Sequence, residues 1–133
     1  MRGVRKSTKR SPECDGAVRA VAMDTILSEH TEQAIFVQWF RRTYPDVRIF
    51  AIPNGGGRSR SQGAKLKVEG VSAGVPDLFI PHGTIWVEMK RNRGGSVSAE
   101  QKSWHAYLVG IGHTVIVGYG FDDAKDKILS LLK

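Results

Sequence analysis

The sequence has 133 residues, enough for one domain with a buried core. It carries 20 Lys and Arg against 13 Asp and Glu, and the net charge of +7 makes a polyanion the expected partner. The single cysteine, Cys14, excludes an intramolecular disulfide, and no apolar run is long enough for a membrane span, so we expect a cytoplasmic protein with no membrane partner.

The chain begins with a basic segment, residues 1–24, that has few large apolar side chains. Its charge comes mainly from Arg2, Arg5, Lys6, Lys9 and Arg10. This composition predicts a disordered arm, which either holds nucleic acid electrostatically or only keeps the protein soluble. Residues 25–133 are then expected to form a single domain.

A first helix is predicted from about Ser28 to Arg42, with Ser28 as a suitable N-cap. Its apolar stripe consists of Ile35, Phe36, Trp39 and Phe40. Glu29 and Glu32 lie in the first turn and within the arc of that stripe. The helix dipole alone explains acidic residues at this end. The alternative is that one of them leans over the sheet and completes a metal site.

Residues 47–52 are predicted to form a strand, residues 53–63 a glycine-rich loop, and residues 64–69 a short helical turn. The glycines permit close approach of a ligand to the backbone, and Arg58 and Arg60 can donate to phosphates. No Gly-Lys-Ser/Thr follows, so a P-loop site for a nucleoside triphosphate is not expected. A surface loop without function is the alternative.

The most informative segment is a predicted hairpin of two apolar strands, over 75–80 and 85–90. If His82 and Gly83 form a two-residue turn, Pro81 lies opposite Thr84 and Ile80 pairs with Ile85. Counting outward from that pair places Asp77 directly opposite Glu88. Opposed residues share a face of the sheet, with their Cβ atoms roughly 4.5–5.5 Å apart.

Strand alternation returns Lys90 to the face of Glu88, whereas Ile85, Val87 and Met89 point to the other face. Two carboxylates so close repel each other, and a divalent cation removes that repulsion. A lysine beside the cation can orient or deprotonate a water, which outlines a metal-dependent hydrolytic site. The alternative is an acidic pair on a solvated face that a lysine merely neutralises.

After the hairpin, residues 91–95 form a second basic, glycine-rich loop, and Ser98 and Gln101 fit a capping box. The box is a sufficient structural reason for Gln101, and contact with a substrate is the alternative. The helix is expected to run to about Val109. It is expected to bury Trp104, Leu108 and Ile111.

Residues 113–119 are predicted to form a final core strand and residues 122–132 a closing helix. The inward side chains of that helix are expected to be Ala124, Ile128, Leu131 and Leu132. The histidines lack the paired spacing of a zinc site. They are His30, His82, His105 and His113.

Several segments together resemble one known family. They are Ser28–Gln33, Ile52–Gly56, Ala64–Lys67, Glu69–Leu78, Val87–Lys90 and Ser98–Trp104. In their order and spacing they are similar to the VRR-NUC (virus-type replication-repair nuclease) family of the PD-(D/E)xK superfamily, particularly its small stand-alone phage members. The resemblance covers about residues 28–125. It implies an α/β fold with a restriction-endonuclease-like αβββαβ core, in which helices flank a mixed central sheet.

The resemblance also implies roles for individual residues. Asp77 and Glu88 would be metal ligands, together with the carbonyl of Met89, and Lys90 would be the catalytic lysine. The family's first-helix glutamate, a further ligand, matches Glu29, while Glu32 on the same face could serve instead. Gln101 corresponds to a glutamine of the family's later helix. The expected contacts to DNA are Asn54, Arg58, Arg60, Lys65, Arg91 and Arg93.

The resulting expectation is a Mg²⁺-dependent DNA endonuclease, with Mn²⁺ as a substitute, that acts on branched DNA as a Holliday-junction-type resolvase or a flap nuclease. A homodimer and a role in phage replication, recombination or repair, in the host cytoplasm, are implied by the same resemblance. The alternative is a basic DNA-binding protein without catalysis. A sequence-specific restriction enzyme is a weaker alternative, because 133 residues leave no room for a recognition domain.

Overall fold

The computed structural model describes residues 26–53 and 60–133, and for Arg60 the backbone alone. The predicted basic arm, Asn54 and Arg58 lie outside the described residues. The helices are α1 (Glu29–Thr43), α2 (Arg60–Val68), α3 (Ala99–Gly110) and α4 (Phe121–Leu131). The strands are β1 (Phe50–Ala51), β2 (Leu78–Ile80), β3 (Ile85–Lys90) and β4 (Thr114–Tyr119). Within the two described ranges, no helix has the length and apolarity needed to cross a membrane.

The four strands form one mixed sheet in the order β1-β2-β3-β4. β2 pairs antiparallel with both β1 and β3, whereas β4 runs parallel to β3. A parallel pair needs a crossover connection, which α3 supplies. The predicted α/β class and the order of its core elements are thereby confirmed, with α2 inserted before β2 and α4 added at the end.

The hairpin between β2 and β3 has the predicted register. Ile80 pairs with Ile85 and Leu78 with Val87. The turn is closed by Thr84, whose N–H donates to the Pro81 carbonyl at 3.0 Å. This register determines where the site lies. Each step back along β2 corresponds to one step forward along β3, so Asp77, just before Leu78, lies opposite Glu88.

The two faces of the sheet differ in chemistry. One face is apolar and buried against α1 and α4. Its core consists of Leu78, Ile80, Ile85, Val87 and Met89 from the strands, with Phe36, Phe40, Ala124 and Ile128 from the helices. The opposite face carries Glu88 and Lys90 and lies under α3. Alternation along β3 therefore separates the core from the polar site.

Both helices that border the site begin at the predicted caps. The Ser28 side chain accepts from the Thr31 N–H at 3.1 Å. At the start of α3 the Ser98 hydroxyl accepts from the Gln101 N–H at 3.2 Å, and the Gln101 side chain accepts from the Ser98 N–H at 2.9 Å. The capping box is complete, which fixes the first turn of α3 next to β3.

The predicted strands over 47–52 and 75–80 were too long. β1 has two residues and β2 three, and the pairing continues only as far as the Ile52 N–H, which donates to the Asp77 carbonyl at 2.8 Å. Pro53 and Pro76 have no N–H to extend the ladder. The predicted loop over 53–63 and helical turn over 64–69 were also wrong in their boundary, because α2 already begins at Arg60.

Three apolar residues predicted to face the core are exposed instead. Ile35, Ile111 and Leu131 have 37%, 54% and 44% of their surface accessible. Ile111 follows the last residue of α3, so the helical spacing no longer fixes its direction. Leu131 is the last residue of α4, and its neighbour Leu132 packs against the core in its place.

Candidate active site

Glu88 and Lys90 lie next to each other on one face of β3, near its carboxyl end. Both have ionisable side chains, yet both are buried, with only 1% and 6% of their surface accessible. A charge in such a position is unfavourable unless it is paired or hydrogen-bonded. The solvated acidic face considered as an alternative is therefore excluded for Glu88.

Asp77 precedes β2 by one residue and lies opposite Glu88, as the register predicted. Its carboxylate is held by the backbone of the neighbouring strand, because the Met89 N–H donates to Asp77 Oδ2 at 2.7 Å. The carboxyl group of Asp77 also forms a hydrogen bond with that of Glu88. β2 and β3 thus bring two carboxyl groups into direct contact.

The surroundings of Glu88 favour its protonated form. Burial raises the pKa of Glu88 to about 9, and the hydrogen bond with Asp77 and its negative charge act in the same direction, whereas Lys90 opposes them. Glu88 is therefore protonated at neutral pH when no cation is present. A divalent cation that displaced this proton would remove the repulsion between the two carboxylates.

Gln101 contacts both Glu88 and Lys90 of β3. Its Oε1 accepts from Lys90 Nζ at 2.8 Å, while its Nε2 donates to Glu88 Oε2 at 3.1 Å. The same Oε1 completes the capping box with Ser98. Gln101 therefore caps α3 and also contacts Glu88 and Lys90, while its contact with a substrate stays a prediction.

His105 is a neighbour of the site that sequence analysis missed. Its Nε2 lies 3.2 Å from Glu88 Oε1. Burial lowers the pKa of His105, and the positive charge of Lys90 lowers it further against the opposing effect of Asp77. The available signal was its position on α3, one turn after Gln101.

Glu29 is exposed at the start of α1, and its charge contributes to the raised pKa of Glu88. It is not close enough to make a three-carboxylate cluster with Asp77 and Glu88. Over residues 26–53 and 60–133, no group of three or more His, Cys, Asp or Glu side chains is arranged to hold a metal ion. A third protein ligand would have to be a backbone oxygen or a carboxylate that moves.

Comparison with known proteins agrees with this geometry. A solved structure described as a VRR_NUC domain protein matches the chain with a TM-score of 0.65 and 25% sequence identity. The match covers 80% of this chain and 88% of that one. No family model matches the sequence, and no curated protein matches it significantly.

This likeness supports membership of the VRR-NUC family. The likeness is consistent with a restriction-endonuclease-like core and supports a nuclease of the PD-(D/E)xK type. The predicted central motif consists of Asp77, Glu88 and Lys90, and the structure brings these three residues together just before β2 and on β3.

The basic residues predicted to bind DNA are distributed around this core. Lys65 is exposed on α2, and Arg91 and Arg93 are exposed in the loop after β3. Arg91 Nη2 donates to the Gly94 carbonyl at 3.3 Å, which ties that loop to itself. Arg60 is the first residue of α2. Contacts between these residues and DNA stay a prediction.

Glu32, the second candidate on α1, has a structural partner elsewhere. It is 5% exposed, and its Oε1 accepts from the Phe121 N–H at the start of α4 at 2.8 Å. The adjacent Gly120 N–H donates to the Lys90 carbonyl at 2.9 Å. Glu32 therefore caps the start of α4, next to the hydrogen bond that joins Gly120 to the end of β3.

This difference between the two glutamates can be tested. We expect Glu32→Ala to lower the free energy of unfolding by about 2 kcal/mol, because α4 loses its N-terminal acceptor. Glu29→Ala should change stability by less than about 0.5 kcal/mol but weaken Mg²⁺ binding. Urea unfolding in EDTA and calorimetric titration with Mg²⁺ measure the two quantities. The reverse pattern would assign the site role to Glu32.

Gly74 controls how closely the segment before Asp77 approaches α3. Its φ is +91°, and a Cβ there would lie 2.6 Å from the Glu100 carbonyl carbon. We expect Gly74→Ala to lower the free energy of unfolding by about 2–4 kcal/mol, through backbone strain and overlap with α3. Urea unfolding measures this loss.

Gly70 offers a matched control for that change. Its φ is +105°, but a Cβ would meet nothing within 4 Å. Gly70→Ala should therefore cost only the strain, about 1–2 kcal/mol. If Gly74→Ala and Gly70→Ala lowered the free energy of unfolding equally, the close approach of Gly74 to α3 would make no contribution to stability.

Proposed function

We propose that this VRR-NUC domain is a divalent-metal-dependent endonuclease that hydrolyses phosphodiester bonds in branched DNA. The observation that carries the proposal is the hydrogen-bonded cluster that Asp77 and Gln101 form around the buried Glu88 and Lys90 of β3. Such a cluster is costly to bury, and a structural role alone gives no reason for it.

The chemistry of the donor set fits a hard cation. Asp77 and Glu88 offer carboxylate oxygens, and the Met89 carbonyl lies between Glu88 and Lys90 on the same strand. Oxygen donors favour Mg²⁺ or Mn²⁺ over softer metals. The raised pKa of Glu88 reflects in part its repulsion with Asp77, which a bound cation would relieve. Glu29 is the residue we propose as a further ligand.

A cation bound there would supply Lewis acidity towards the scissile phosphate and a more acidic coordinated water. Asp77 and Glu88 would hold it, with their orientation set by Met89 and Gln101. Lys90, whose Nζ is held by Gln101 at 2.8 Å, would orient the attacking water or offset negative charge on the phosphate. Burial of the cluster strengthens each of these interactions relative to water.

The proposed substrate is DNA with a branch, either a four-way junction or a flap. The net charge of +7 and the exposed Lys65, Arg91 and Arg93 favour contacts to backbone phosphates, which carry little sequence information. We propose a homodimer whose twofold symmetry matches a branched substrate. The end of α3 exposes Tyr107, Val109 and Ile111, an apolar surface that a second copy could cover. A role in phage replication, recombination or repair belongs to the same proposal.

Cleavage of a panel of labelled DNAs tests this function. The panel contains a four-way junction, a 5′ flap, a fork, a single strand and a linear duplex, each with Mg²⁺, Mn²⁺ or EDTA. We expect cleavage that needs the metal, prefers branched DNA and is lost in Asp77→Ala. Tight binding without cleavage under any metal, with affinity retained in Asp77→Ala, would instead indicate a DNA-binding protein.

A further inference from the structure

Helix α3 presents two side chains to the same carboxyl group. Gln101 and His105 have the i, i+4 spacing that places two residues on one face of a helix, one turn apart. Gln101 Nε2 donates to Glu88 Oε2 at 3.1 Å, and His105 Nε2 lies 3.2 Å from Glu88 Oε1. Each oxygen of Glu88 therefore has its own partner on α3.

We propose that His105 is a positioning residue that fixes the orientation of the Glu88 carboxylate for a divalent cation. This proposal rests on the proposed metal-dependent function, and it assigns to the site a residue outside the PD-(D/E)xK motif. His105 would act through Glu88 and would not touch the substrate.

The hydrogen-bonding capacity of the partners fits such a second contact. An ionised carboxylate only accepts hydrogen bonds, so His105 would carry its proton on Nε2 when Glu88 binds a cation. Gln101 contacts only one of the two oxygens, because its Oε1 is itself an acceptor and is used by Lys90 and the Ser98 N–H. Its single free function, the Nε2 donor, reaches only Oε2.

Burial makes this contact hard to replace. The side chain of His105 is 15% exposed and that of Glu88 is 1% exposed. Water therefore has little access to take the place of a lost imidazole. Groups that orient a metal ligand from outside typically contribute about 10–100-fold to metal affinity. Simple packing between α3 and β3 is the competing role for His105, and it predicts no effect on metal binding.

The test compares His105→Phe, which keeps a ring but has no donor, with His105→Gln, whose amide can still donate. Calorimetric titration with Mn²⁺ alone measures affinity without any cleavage. We expect His105→Phe to bind Mn²⁺ about 10–100-fold more weakly and His105→Gln to lie within about threefold of the wild type. The Mg²⁺ concentration for half-maximal junction cleavage should rise in parallel, whereas the rate at saturating Mg²⁺ should change much less.

His82→Phe is the matched control, because His82 is exposed in the turn at the other end of β3. Circular dichroism checks that each variant folds, and His105→Leu replaces His105→Phe if the latter does not. Wild-type affinity for Mn²⁺ in His105→Phe or His105→Leu would overturn the proposal while leaving the nuclease function intact. A wild-type protein that binds no divalent cation would overturn both.

Discussion

Lys90→Met is expected to lower the single-turnover rate of DNA cleavage by about 10³-fold while Mn²⁺ affinity stays within about threefold of the wild type. Methionine keeps the length and apolar stem of the side chain but removes its charge. The lysine Nζ is held by Gln101 at 2.8 Å on the same face as Glu88, so its loss removes a positioned charge from the reaction and leaves both carboxylates. Quenched-flow cleavage and calorimetry measure the two quantities.

Lys102→Met controls for the loss of a positive charge near the site. Lys102 is exposed on α3 directly after Gln101, so it shares the neighbourhood without facing the cluster. Its cleavage rate should stay within about threefold of the wild type, as for most exposed substitutions. Normal turnover in Lys90→Met would remove Lys90 from the chemistry.

Glu88→Gln is expected to abolish cleavage and, at the same time, to stabilise the metal-free protein at pH 8 by about 1–3 kcal/mol. The amide retains most of the shape of the buried acid but cannot ionise. Because it also removes one of the two charges that would bind a cation, Mg²⁺ should no longer raise the stability of the variant. Urea unfolding in EDTA and in Mg²⁺ measures both effects.

The pH dependence follows from the direction of the shift. The pKa of Glu88 rises from 4.5 to about 9 on folding, mainly through burial, so the folded state holds a proton that the unfolded state releases. The stability that this group contributes is fully present below pH 4.5 and is lost as the pH rises towards 9. The advantage of Glu88→Gln should therefore be large at pH 8 and small at pH 5.

Glu69→Gln is the control for this experiment, because Glu69 is exposed. Its stability should follow the wild type at both values of pH. If Glu88→Gln showed the same difference from the wild type at pH 5 and at pH 8, the carboxyl group would not be the buried acid that the structure indicates.

The centre of the site was predictable because it depends on local rules. A short turn fixes the register of a hairpin, and the register alone places Asp77 opposite Glu88. Strand alternation then assigns Lys90 to the same face. No long-range contact enters this reasoning, which explains why it holds although β2 is much shorter than predicted.

The choice between Glu29 and Glu32 could not be made from local periodicity. Both residues fall within the apolar arc of α1, and the helix dipole favours both. The partner of Glu32 is the Phe121 N–H, 89 residues further along the chain. Only the packing of α1 against α4 shows that one glutamate is used as a cap while the other stays exposed.

His105 escaped prediction for a related reason. Its spacing from Gln101 places both on one face of α3, but a metal-site search by paired histidines gives such a residue no weight. The capping box fixes where α3 begins, and therefore which side chains lie one turn further over β3. The contact with Glu88 also needs the height of α3 above the sheet, which no local pattern supplies.

The proposed motif depends on the contacts of Glu32 with Phe121 and of Gly120 with Lys90, which lie outside the hairpin. A chain ending at Tyr119 would retain every motif residue, yet the Lys90 carbonyl and the Glu32 carboxylate would both lose their backbone partners. The same truncation would strip Ala124 and Ile128 from the core. Grafting the hairpin alone onto another sheet would therefore transfer Asp77, Glu88 and Lys90 without the contacts that hold the end of β3 in place.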